Sequence, residues 1–106
     1  MRECKVVIEG QERVFRYGLR AMFLFERLSG KAFQLRQLQD MFLFYFCCLI
    51  AADPDFMEGD FARFIEACDA DPSLGRRLDA ALTELSRQES ALDAREESDP
   101  DGKKKD

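Results

Sequence analysis

The sequence predicts a mainly α fold of the α+β type, in which an N-terminal β-hairpin precedes about four helices in a small bundle. Three observations carry that expectation. Apolar and polar residues alternate on both sides of Gly10, between Cys4 and Tyr17. Twelve uncharged residues, Met41 to Ala52, stand between Asp40 and Asp53. Downstream of Asp60, and again downstream of Asp71-Pro72, apolar residues recur at helical spacing.

Residues 3–17 form the hairpin. Lys5-Val6-Val7-Ile8-Glu9 and Glu12-Arg13-Val14-Phe15-Arg16-Tyr17 flank Gly10-Gln11, and glycine at the first turn position suits a two-residue type II′ loop. That register sets Val6 opposite Phe15 and Cys4 opposite Tyr17, so that Cys4, Val6, Ile8, Phe15 and Tyr17 share one face. A lone hairpin is marginal in water, so the face must lie on the helices or be extended by another strand. The strand edges are open to addition by a partner or a second copy.

The first helix is expected over Leu19–Ser29, stopped by Gly30 in a left-handed C-cap. Ala21, Leu24, Phe25 and Leu28 make its main apolar side, and Leu19 and Phe23 fall off that side. Lys31–Gln34 is a short connection. The second helix is expected from about Leu35 to Ala52, ending at Asp53-Pro54 because proline disfavours helix in the residue before it. It is apolar nearly all round. Leu35, Leu38, Phe42, Tyr45, Phe46 and Leu49 make one stripe, with Met41, Phe44 and Cys48 on roughly the opposite side. Residues 56–59 are a loop. Asp60 caps a third helix to about Asp69, with Phe61, Phe64, Ile65 and Cys68 on one face and Arg63 and Glu66 on the other. Asp71 caps a fourth with Pro72 at its first position, and Leu74, Leu78, Ala81, Leu82, Leu85 and Leu92 form its stripe. Gln88 and Glu89 interrupt that stripe, which predicts frayed or partner-dependent last turns.

A chain of 106 residues suits one domain, placed at residues 1–93, with a disordered charged tail at 94–106. The ten Phe and two Tyr all lie between Phe15 and Phe64, so the first two-thirds of the chain builds the core. The apolar run is too short for a bilayer, which needs roughly 20 residues. The N-terminus has no apolar leader core, which predicts no secretory signal. A net charge of −5 with interspersed signs argues against nucleic acid as a partner.

The residues offer no catalytic set. There is no histidine, and Cys4, Cys47, Cys48 and Cys68 include no CxxC pair, so neither the commonest general base nor a zinc site is in prospect. The thiols suit buried positions in a reducing compartment. Asp53/Asp55 and Asp69/Asp71 flank helix ends, where capping accounts for them, and they lack the DxDxDG pattern of a calcium loop. No phosphate-binding glycine motif is present. The expectation is a non-enzymatic interaction protein without cofactor or metal.

The arrangement also resembles a known family. Phe15-Arg16-Tyr17-Gly18-Leu19-Arg20-Ala21-Met22 leads from a strand pair into a Phe-rich helix, a second apolar helix follows, and a Phe-x-x-Phe-Ile segment closes on Asp69-Ala70-Asp71-Pro72. Over residues 3–90 this is similar to the small tail assembly chaperones of long-tailed bacteriophages and prophages. The resemblance implies a protein made in the cytoplasm of the infected cell and absent from the virion. Such a protein binds the tape measure protein and assists recruitment of tail tube protein around it. It implies neither nucleic-acid nor membrane binding. Many members also have a longer form made by ribosomal frameshift, and Gly102–Lys105 stands where such a slip would fall; a solvated charged tail accounts for it equally.

For such a role the far side of the second helix, Met41, Phe44 and Cys48, is the candidate partner site, able to take a client helix at i, i+3/i+4 spacing. Completion of the core and a homo-oligomer seam are the alternatives for the same residues. A head–tail connector component or a small regulatory helical module is the rival function.

Overall fold

The computed structural model describes residues 2–97. The expected architecture is present: β1 (Arg2–Ile8) and β2 (Gln11–Tyr17) form a two-stranded antiparallel sheet, followed by α1 (Leu19–Ser29), α2 (Leu38–Ala52), α3 (Phe61–Ala70) and α4 (Pro72–Glu97). The inner face of the hairpin packs on α2 and α4, and α1 and α3 flank α2. No helix among the described residues is long and apolar enough to cross a membrane.

The hairpin turns one residue earlier than expected. Ile8 pairs with Gln11, Cys4 with Phe15 and Val6 with Arg13, so the turn is Glu9-Gly10 rather than Gly10-Gln11. Both turn residues have positive φ, 52° and 79°, the pattern of a type I′ turn, whose twist matches that of the strands. Glycine thus serves the second position, and Glu9 takes a left-handed conformation that costs a side-chain-bearing residue energy. The change moves each pairing by two residues and leaves the faces intact, because side chains alternate with period two. Val6, Ile8 and Phe15 are buried as expected, and Phe15 meets the Tyr45 ring at 6.5 Å.

Arg77 of α4 joins the two parts of the fold. It donates to the Val7 carbonyl at 2.8 Å and pairs with Asp71 at 3.2 Å, tying α4 to β1 and to its own N-cap. Asp71 accepts from the Ser73 hydroxyl and backbone, and the hydroxyl first, with Arg77 and the backbone amide, holds its carboxyl below the ordinary range. Asp60 caps α3 by accepting from Ala62 and Arg63. Leu74, Leu78, Ala81, Leu82 and Leu85 of α4 are buried, as the stripe predicts. The helix continues to Glu97, four residues past the expected boundary at 93, and the remainder of the expected tail lies outside the described residues.

Two loops differ from expectation in ways that decide what is exposed. The helix α2 starts at Leu38, not Leu35, so the connection from α1 spans Gly30 to Gln37. Asp40 organises it. This carboxylate is buried, takes an ion pair from Lys31 at 2.8 Å, and accepts the Arg36 and Gln37 amides at 3.1 Å each. The Lys31 hydrogen bond first, and the backbone amides with it, hold the Asp40 carboxyl below its ordinary range. Glu26 accepts the Phe33 amide at 3.0 Å, fixing the middle of the connection. Residues 56–59 form a tight turn in which Met57, Glu58 and Gly59 all have positive φ, and this turn delivers buried Phe56 and Met57 to the far end of the core.

Candidate interaction groove

The expected partner site is not a surface of this fold. Phe44 and Cys48 have no solvent exposure, and Met41 is only partly exposed. Phe44 meets Tyr17 at 6.0 Å, Phe25 at 6.3 Å and Phe33 at 4.8 Å between ring centroids. The cause of the correction is Phe33. The longer connection, pinned by Asp40 and Glu26, folds this ring onto both Phe25 and Phe44 and closes the side left open by the two-faced reading. Of the three alternatives, these residues complete the core.

The open side lies instead on the stripe assigned to the core. Tyr45, Phe46 and Leu49 are buried, but Leu38 is 74% exposed and Phe42 is half-buried. Leu38 occupies the first turn of α2. Phe42, one turn on, lays its ring against Tyr45 in an edge-on contact at 5.1 Å. Across from them α3 presents Phe61, Ile65 and Cys68, spaced i, i+4 and i+7. Pro72 and Gly75 of the first turn of α4 complete the lining. Together they enclose an open apolar groove of about 470 Å³, with Gln39 and Asp69 as its polar members.

Gly75 sets the depth. A methyl group at this position would stand 3.2 Å from Cζ of Phe42, so the ring lies close to the backbone only because no side chain intervenes. A second cavity of about 420 Å³ adjoins, sharing Gln39 and Phe61 and adding Leu28, Leu43 and Phe46. Half-exposed Leu28 stands there beside the polar Ser29, Lys31, Gln37 and Asp40.

The groove walls are apolar apart from Gln39 and the carboxylate of Asp69. Burial pushes the Cys68 thiol up to about 11, aided by Asp69 and Asp71, so it is protonated at neutral pH. Cys47 is likewise raised to about 12, and Cys4 and Cys48 are raised by burial. Burial and the Asp79 carboxylate, which accepts the Tyr45 hydroxyl at 3.1 Å, raise the Tyr45 phenol. Of the acid pairs, Asp53 accepts the Asp55 amide and Asp71 caps α4. Among the described residues no cluster of three or more Cys, Asp or Glu is placed to hold a metal ion.

Sequence reasoning found Phe61, Ile65 and Cys68 as one face of α3 and Leu38 and Phe42 as one stripe of α2, but missed that the two border an open groove. Gly75 was a usable signal: a glycine inside an otherwise apolar helical stripe marks a close approach. No protein-family model, curated protein or solved structure matches the chain.

Proposed function

We propose that the chain is a non-enzymatic assembly chaperone of phage tail type, which holds an apolar helix of the tape measure protein in the groove between α2, α3 and α4. The observation that carries the reading is the groove itself. Its volume of about 470 Å³ lies in the range of binding pockets, and two helical ridges line it with Leu38, Phe42, Phe61 and Ile65. A client helix seats two or three apolar side chains at i, i+3/i+4 spacing in such a trough. Apolar, ring-rich walls with only Gln39 and Asp69 as polar members suit a long client of varied sequence. The raised thiols and capping carboxylates support a binding role over catalysis.

In this reading the protein acts in the cytoplasm of the infected cell, assists recruitment of tail tube protein, and leaves before the virion is complete. The site moves from Met41, Phe44 and Cys48 to Leu38, Phe42, Phe61 and Ile65. The test is capture of a tape measure fragment encoded in the same tail module. Leu38→Asp should retain the thermal midpoint, because Leu38 is exposed, and should lower capture at least tenfold. A folded Leu38→Asp protein with undiminished capture would refute the groove, and finding the protein as a stoichiometric component of purified particles would refute the chaperone.

A further inference from the structure

We infer that the outward face of α1 is a second protein-docking surface, separate from the groove, and that its partner is an acidic amphipathic polypeptide segment. Leu19 and Phe23 are 66% and 59% exposed, and their i, i+4 spacing places them in one ridge directly opposite buried Ala21 and Phe25. A paired aliphatic and aromatic side chain left in water one turn apart is a partner-anchoring pattern rather than scattered surface.

The charge beside the ridge selects the partner. Arg20 and Arg27 lie one turn to either side of Phe23 along the same flank, at i−3 and i+4. Among the described residues neither is paired with a carboxylate. Glu26, on the other flank, is engaged by the Phe33 amide. At the N-terminal end of the ridge a cavity of about 340 Å³ adds Arg2 and Arg16 to Leu19 and Arg20. Arg16 is neutralised by Glu3 at 2.8 Å, leaving Arg2, Arg20 and Arg27 as cations without an ion pair among the described residues, around an apolar ridge. The whole chain carries −5, so these cations are a local exception to its field.

That exception argues for a peptide rather than a polyanion. A nucleic acid or an anionic membrane would meet three arginines and then the repulsion of the remaining surface, whereas a helix with Leu anchors flanked by Glu matches the ridge locally. The groove has no comparable basic flank, since Asp69 is the charged residue in its lining, so the two surfaces differ in the sign of charge they accept.

The test uses the full chain and fluorescence anisotropy with four probes: a labelled helical peptide bearing Leu at i, i+3/i+4 with Glu flanks, the same peptide with Lys for Glu, a single-stranded DNA 20-mer, and anionic lipid vesicles. Saturable binding of the Glu peptide, at least tenfold tighter than the Lys peptide, is expected, and it should weaken with added salt. Arg20→Glu with Arg27→Glu, and separately Phe23→Ser, should each weaken it at least tenfold; all three positions are exposed, and circular dichroism midpoints verify the fold. Arg20→Gln with Arg27→Gln should give a smaller loss. Absence of Glu-peptide binding, equal binding of the Lys peptide, tighter binding of DNA or vesicles, or insensitivity to these substitutions would overturn the inference. So would loss of binding on Leu38→Asp, because that would place the peptide in the groove.

Discussion

The helices α1 and α2 are both rich in phenylalanine, and the fold treats them oppositely. The α2 helix is covered on most sides: the hairpin lies over Phe44 and Tyr45, α3 over Phe46, and the Gly30–Gln37 connection over the remaining face through Phe33. Its most exposed apolar side chain among the described residues is Leu38, in the first turn, with half-buried Phe42 one turn on. The α1 helix is covered along Ala21 and Phe25 and leaves Leu19 and Phe23 in water. Composition alone cannot distinguish these cases. What distinguishes them is the number of neighbouring elements whose own apolar faces need a cover, and a short loop carrying one aromatic counts among those elements.

The sharpest way to break the comparison is to treat the same residue type in both helices alike. Phe44→Asp places an unpaired carboxylate among rings and should abolish cooperative folding, whereas Phe44→Ala should cost about 3–5 kcal/mol. Phe23→Ser, on α1, should change stability by no more than about 0.5 kcal/mol. Urea denaturation of the three variants decides the matter; comparable losses for Phe44→Ala and Phe23→Ser would show that α1 is covered after all. Phe42→Ala, at the half-buried rim, should fall between, at roughly 1–3 kcal/mol.

The cover over Phe44 depends on Asp40, and that dependence is readable in acid. The native Asp40 carboxyl titrates below its ordinary value, so its contribution is complete above the ordinary carboxylate range and is lost as pH falls through the lowered native value. Thermal midpoints followed from pH 6 to pH 2.5 should fall more steeply for the wild type than for Asp40→Asn, which should already be less stable at pH 6. Parallel curves would remove Asp40 from that role.

At the other end of α2 the strained turn allows a change in the opposite direction. Glu58 is exposed with φ 58°, a conformation that glycine adopts without penalty. Glu58→Gly should stabilise the protein by about 0.5–1 kcal/mol, the relief of strain being partly offset by greater freedom of the unfolded chain. By scanning calorimetry that corresponds to a midpoint rise of roughly 2–6 °C; a fall would show that the Glu58 side chain does something the turn needs.

The fold class and the order of elements were legible because each rests on local chemistry. Gly30 stops α1, Asp60 and Asp71 cap α3 and α4, and alternation marks the hairpin faces. The hairpin register was less legible, because both Gly10-Gln11 and Glu9-Gly10 place glycine where a two-residue turn can use it. The candidate site was misplaced for a nonlocal reason. Helical spacing correctly set Leu38 and Phe42 apart from Met41, Phe44 and Cys48, but spacing states only which residues share a face, and the side that stays open depends on where Phe33 lands. The Gln37-x-x-Asp40 pair carried a signal for this: a carboxylate three residues after a helix start reaches back to the chain before it, and here Asp40 accepts the Gln37 amide at 3.1 Å.

The register of the hairpin bears on how this N-terminal region can change in length. Because side chains alternate with period two, a pairing shifted by two residues keeps every inward side chain inward. Insertions or deletions at the Glu9-Gly10 turn are therefore tolerable in steps of two, lengthening or shortening the ribbon while Val6, Ile8 and Phe15 keep their places. A single-residue change, unless absorbed by a bulge, would turn one strand inside out and set Lys5 and Val7 toward α4 in place of Val6 and Ile8. Among relatives of this chain, hairpin lengths should differ by even numbers, with the rare odd differences marked by a bulge.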